Sequence, residues 1–105
     1  MAYRIKEQSM DDQQRRIHWA EVFAALASEA RLHIVELLSK EAVQCQEILG
    51  QIELSQPAVS YHLAKLERAG VLEKDRQGTR NCYRLHEALR PLVRTIMKEE
   101  SWNTQ

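Results

Sequence analysis

The stretch from Leu54 to Leu85, LSQPAVSYHLAKLERAGVLEKDRQGTRNCYRL, constrains the fold of this chain more than any other part of it. It reads as one helix with both ends marked, followed at once by a strand, a turn and a second strand. Ser55 can accept a backbone N–H at the helix start, Gln56 and Pro57 fill a first turn in which proline's missing donor costs little, and Gly70 suits a left-handed stop. Within the helix Val59, Leu63 and Leu66 recur at i, i+4 and i+7 and make one apolar face. Pro57, Ser60, Tyr61, Ala64, Lys65 and Arg68 fall toward the other side. Amide and hydroxyl groups near the N-terminal end suit base edges, and cations further along suit phosphates. The same spacing also describes an ordinary amphipathic helix with a solvated face, so the helix alone does not decide function.

The hairpin adds to the first reading. Val71 and Leu72 begin a strand, Gly78-Thr79 supplies a turn, and Cys82 to Leu85 returns. Alternation predicts Tyr83 and Leu85 on one side and Cys82 and Arg84 on the other. Arg76 and Arg80 flank the turn, so the tip is basic. Between Leu54 and Arg84 stand six cations (Lys65, Arg68, Lys74, Arg76, Arg80, Arg84) and three acids (Glu67, Glu73, Asp75), whereas the whole chain balances at 15 against 15. A neutral total argues against indiscriminate polyanion binding, while a local basic surface suffices to track phosphates.

A chain of 105 residues with 44% apolar side chains makes one domain with a modest core, and a partner subunit would help it to bury surface. Residues 1–10 are polar and read as a flexible arm. Beyond them Ile17, Ala20, Phe23, Ala24 and Ala27 form a helical stripe that Trp19, Val22 and Leu26 widen. Ser28 can cap a second helix running to about Ser39, with Leu32, Ile34, Val35, Leu37 and Leu38 turned inward, and a short third helix fits Gln44 to Gln51, burying Ile48 and Leu49. After the hairpin Leu89, Leu92, Val93, Ile96 and Met97 mark a final helix, with Pro91 confined to its first turn or to a kink after a looser start. No apolar run approaches the roughly 20 residues that cross a bilayer, and the N-terminus lacks the apolar segment of a secretory signal, so a cytoplasmic location is expected. In that reducing compartment Cys45 and Cys82 would remain thiols.

The order of three helices, a reading helix, a hairpin and a last helix, together with the segments LASEARLHIVELL, LSQPAVSYHLAKLERAGVL and RQGTRNCYRL, resembles the ArsR-type family of bacterial repressors over about residues 20–98. The resemblance implies a mainly α winged helix-turn-helix with a small β-hairpin, residues 11–105 forming the DNA-binding and dimerisation domain. It implies a transcriptional regulator that binds a near-palindromic operator as a homodimer and is released by an effector. Its partners would be double-stranded DNA and a second copy of itself, not a membrane. Trp19, Phe23, Leu92, Ile96 and Met97 would form the subunit interface. Gln56, Ser60 and Tyr61 would meet base edges and backbone, with Lys65, Arg68 and Arg76 supplying charge. The hairpin tip, Gly78, Thr79, Arg80 and Asn81, would lie along the adjacent minor groove or phosphates. Half-sites would lie roughly 10 base pairs apart.

The signal that would release such a repressor is less clearly written. Relatives that sense metals use a Cys-x-Cys pair in the third helix or Asp and His ligands on the last one, and neither pattern is intact. The third-helix region reads VQCQEIL, and beyond His86 the last helix offers only Glu87, Glu99 and Glu100. Zinc takes four N or S ligands in most structural sites, so no metal or other cofactor is assigned; a metal would need ligands from two subunits. His18, His33, His62 and His86 are scattered and read as structural or surface residues. Cys45 reads as a small buried hydrophobe, whereas Cys82, placed between Arg80 and Arg84, would be held toward thiolate. These two cysteines are the candidate sensing thiols. A second function class is a winged-helix protein–protein module that binds no DNA. An enzyme is not indicated, since no Gly-rich phosphate loop, paired carboxylates or Ser-His-Asp set is present.

Overall fold

The computed structural model describes residues 10–40 and 47–98. Helix α1 spans Asp12–Leu26, α2 Glu29–Lys40, α3 Glu47–Gln51 and α4 Gln56–Arg68; strands β1 (Leu72–Gln77) and β2 (Arg80–Leu85) follow, then a 3-10 turn (Glu87–Leu89) leading into α5 (Arg90–Ile96). The arm expected over residues 1–10 lies outside the described residues except for Met10, and so does the expected start of the third helix at Gln44.

Each boundary has a local cause. Asp11 opens α1 with a reciprocal cap: its side chain accepts from Gln14 N at 2.7 Å, and the Gln14 side chain accepts from Asp11 N at 3.0 Å. Ser55 opens α4, its Oγ accepting from Ala58 N at 3.3 Å. At the other end Gly70 takes φ +83°. That left-handed turn lets Gly70 N donate to Glu67 O at 3.0 Å and Val71 N to Leu66 O at 2.9 Å, satisfying two carbonyls the helix would otherwise leave open. Gly78 takes φ +65° at the first of the two loop positions, as a II′-type hairpin turn requires. The register pairs Leu72 with Leu85, Asp75 with Cys82 and Gln77 with Arg80. Pro91 stands in the first turn of α5, where its missing donor is harmless.

The core gathers Val22 and Leu26 from α1, Ile34, Val35 and Leu38 from α2, Ile48 from α3, and Val59, Leu63 and Leu66 from α4. Val71, Leu72, Leu85, Leu89 and Val93 close it below the hairpin. Thus the expected apolar face of α4 is the buried one, and Leu72 with Leu85 anchors the root of the hairpin while its tip projects. Helix α1 departs from the expected stripe. Val22, Ala25 and Leu26 go inward, but Ile17 and Phe23 stand 52% and 54% exposed. The helix is apolar on two sides, and the domain covers only one of them.

Candidate nucleic-acid interface

Helix α3, the bend at Ile52–Ser55 and helix α4 make a helix-turn-helix, and the hairpin forms a wing beside it. Burying Val59, Leu63 and Leu66 forces Gln56, Ser60 and Tyr61 outward, and all three are exposed. The wing folds back so that its tip faces the same end of α4. Gln56 and Ser60 line one cleft of about 250 Å³ with Thr79, Arg80 and Asn81, floored by Ile48, Leu49 and Leu63. Five candidate DNA contacts from two separate stretches of sequence therefore share one concave surface.

The remaining candidates lie around it. Tyr61 is 54% exposed. Lys65 Nζ sits 5.8 Å from the Tyr61 ring centroid, and the His62 ring meets the same ring edge-on at 5.3 Å. Lys65 and Arg68 border a different depression, shared with Glu21 and Ala24 of α1. That is the far end of the reading helix, away from the wing tip. Arg76 turns back on the hairpin, its Nε donating to Gly78 O at 3.4 Å, and so braces the turn in addition to charging it.

Charge pairing sorts the cations. Lys74 lies 3.7 Å from Glu67, tying the wing to α4, and Arg84 lies 3.2 Å from Glu73 across the hairpin. Lys65, Arg68, Arg76 and Arg80 have no ion-pair partner among the described residues. These four border the reading helix and the wing tip, so the positive potential there is left for something outside the protein.

One structural residue was missed by pattern reading. Arg31 sends its guanidinium to His62 on α4, Nη1 lying 3.0 Å from Nδ1. Partial burial, and secondly the Arg31 charge, hold the His62 pKa below its ordinary value of 6.5. The neutral ring accepts from Arg31, so its proton rests on Nε2. A signal was present: Arg31 is the one cation inside the apolar run from Ala30 to Leu38.

The cysteine reading needs correction. Cys82 is fully buried, and its sulfur is engaged in a disulfide. It is neither an exposed thiolate between Arg80 and Arg84 nor the free thiol expected of a reducing compartment. Alternation puts Cys82 and Leu85 on opposite faces of the strand, yet both are buried, and a disulfide requires a second cysteine within bonding distance. Cys45 lies outside the described residues. Among the described residues no cluster of three or more His, Cys, Asp and Glu could hold a metal ion. Nor is any described helix long and apolar enough to cross a membrane.

The candidate interface residues divide between α1 and the end of the chain. Trp19 and Phe23 lie with ring centroids 6.0 Å apart and planes tilted by 37°; Phe23 and Ile96 are exposed, and Trp19, Leu92 and Met97 are half-buried against the core.

A helix-turn-helix with an outward polar reading face and a basic wing at its side defines a winged helix-turn-helix DNA-binding protein. Comparison with known proteins agrees. Residues 28–74 match the model of the bacterial regulatory protein arsR family. The arsenic resistance transcriptional regulator ArsR1 of Pseudomonas putida is 38% identical over 78 residues, which cover 73% of this chain and 61% of that protein. The transcriptional repressor PagR of Bacillus anthracis is 33% identical over 97 residues, covering 91% of this chain and 88% of the relative. The PagR crystal structure superposes with a TM-score of 0.72 at 28% identity, covering 79% of this chain and 97% of that one. The homodimeric winged helix-turn-helix DNA-binding domain of Mb0332 from Mycobacterium bovis gives the same TM-score and identity, with 84% of each chain covered. This chain belongs to the ArsR family, whose members are transcriptional regulators and not enzymes.

Proposed function

We propose that this protein represses transcription by binding a near-palindromic operator as a homodimer, and that an effector releases it. The observation that carries the reading is the shared cleft, in which the amide of Gln56 and the hydroxyl of Ser60 stand beside Thr79, Arg80 and Asn81 of the wing. Gln56 and Ser60 would read base edges in the major groove, with Tyr61 on the groove wall. Arg80 and its neighbours would hold the adjacent backbone or minor groove, and Lys65 and Arg68 would meet phosphates at the far end of the helix. Exposed Ile17, Phe23 and Ile96 supply apolar area for a second copy. The homodimeric Mycobacterium bovis domain supports that arrangement. A two-fold axis would then set the two reading helices about one turn of DNA apart, roughly 34–36 Å.

The effector's chemistry is suggested by one relative. The Pseudomonas relative is named for arsenic resistance, which brings arsenite among the candidates, although VQCQEIL offers a single cysteine. The test is a gel shift on the DNA upstream of the protein's own coding sequence, against a scrambled duplex, with and without arsenite, zinc, peroxide and persulfide. A preference for the upstream DNA that one treatment abolishes is expected. Equal affinity for both duplexes would reject the operator reading in favour of a protein–protein module.

A further inference from the structure

Arg31 reaches two other helices from one side chain. It lies in the first turn of α2, its backbone N–H bonded to Ser28 Oγ at 3.3 Å. Its Nε donates to Ala25 O at 2.6 Å, one of the last carbonyls of α1, which have no partner within their own helix. Its Nη1 donates to Nδ1 of His62, 31 residues later on α4. Arginine has donors only and keeps its charge, so the direction of both bonds is fixed.

The two ends of this bridge differ in kind. At one end is the helix that carries exposed Ile17 and Phe23. At the other is the turn of the reading helix that carries exposed Ser60 and Tyr61, with Tyr61 in edge contact with His62 itself. We propose that Arg31 is a positioning residue for DNA reading: with His62 it sets the angle between α1 and α4, and so the spacing of the two reading helices in the dimer. This inference rests on the homodimeric operator reading. A planar fork can hold two acceptors in a fixed relation, whereas an ammonium on a flexible stem, or an apolar side chain, leaves α4 attached through core packing alone.

Operator spacing gives the readout, because a residue needed only for folding would weaken all binding together. One base pair inserted at the centre of the site moves a half-site by about 3.4 Å and turns it by roughly a tenth of a turn. A stiff joint resists that change and a loose one follows it. The experiment titrates labelled duplexes carrying the operator, the operator with one central insertion, a single half-site and a scrambled sequence. The proteins are wild type, Arg31→Lys, Arg31→Met, His62→Leu and His62→Asn, each first checked by thermal melting. Wild type is expected to lose about tenfold or more on insertion, a penalty in the range of a mismatched site. Arg31→Lys, Arg31→Met and His62→Leu should bind the operator about tenfold less tightly, keep their half-site affinity and lose most of the insertion penalty. His62→Asn, with an acceptor at the position of Nδ1, should match wild type. Undiminished spacing discrimination in His62→Leu and the Arg31 variants, or a His62→Asn protein as lax as they are, overturns the proposal alone. A wild-type protein that does not prefer the operator to the scrambled duplex rejects the operator reading, and the joint with it.

Discussion

Arg84 Nε lies 3.2 Å from Glu73 Oε1, directly across the hairpin from its register partner, so the cation at the root of the wing is answered within the wing. Arg80, four residues nearer the tip, has no such partner among the described residues. Alanine substitutions at the two positions should therefore differ. Arg80→Ala is expected to weaken binding to all duplexes alike and to lower the slope of log affinity against log salt by about 1 for each phosphate that Arg80 neutralises. Arg84→Ala should change that slope less. Titrations over a range of KCl concentrations measure both, and equal effects would misplace the wing on the DNA.

Gln56 makes a different prediction from the same cleft. Its amide sits in the first turn of the reading helix, where a side chain reaches base edges, and it neither carries charge nor contributes to the core. Gln56→Ala should therefore leave the salt slope as it is and alter sequence preference, by roughly 1–3 kcal/mol for each base that the amide reads. Binding to a panel of single-base operator variants checks it. A uniform loss across the panel would place Gln56 on the backbone instead.

What could be read from sequence was the part governed by neighbours in the chain. The helix from Ser55 to Gly70 was legible because its cap, apolar face and stop each depend on a few adjacent residues. The two-residue turn at Gly78-Thr79 was legible for the same reason. Cys82 was misread because a disulfide depends on a second cysteine brought to it by the fold, and strand alternation does not encode that. Arg31 was missed because its role depends on an acceptor 31 residues away, and no local period encodes that distance. Ile17 and Phe23 lie between these cases: their apolar spacing was plain, but only the packing of Val22, Ala25 and Leu26 shows which side of α1 is left over.

That leftover side yields the assembly prediction. Phe23 and Ile96 are 54% and 39% exposed, and leaving such side chains in water forgoes the stabilisation that burial brings, about 25 cal/mol for each Å² of apolar surface. Replacing Ile96 with Glu places a charge in any apolar interface formed there, where it would have to be desolvated without a partner. Sedimentation velocity at micromolar concentration should show dimers for wild type and monomers for Ile96→Glu, and the variant should bind the operator much more weakly. A wild type that sediments as a monomer, or a variant that dimerises normally, would move the interface elsewhere.

The Arg31–His62 contact also predicts how stability depends on pH. Partial burial, together with the adjacent guanidinium, holds the His62 pKa in the folded protein below 6.5, whereas in the unfolded chain it returns to about the ordinary histidine value. Between the folded pKa and 6.5 the unfolded chain binds more protons at this position than the folded one, so stability rises with pH across that window. The contribution is fully present above 6.5 and is lost as pH falls through the lower folded value, where a protonated Nδ1 can no longer accept from Arg31. Melting temperatures measured from pH 7.5 down to about 5 should fall further for wild type than for His62→Asn, which keeps an acceptor but does not titrate. The difference between the two curves isolates His62 from the other histidines, and parallel curves would show that its protonation is not linked to folding.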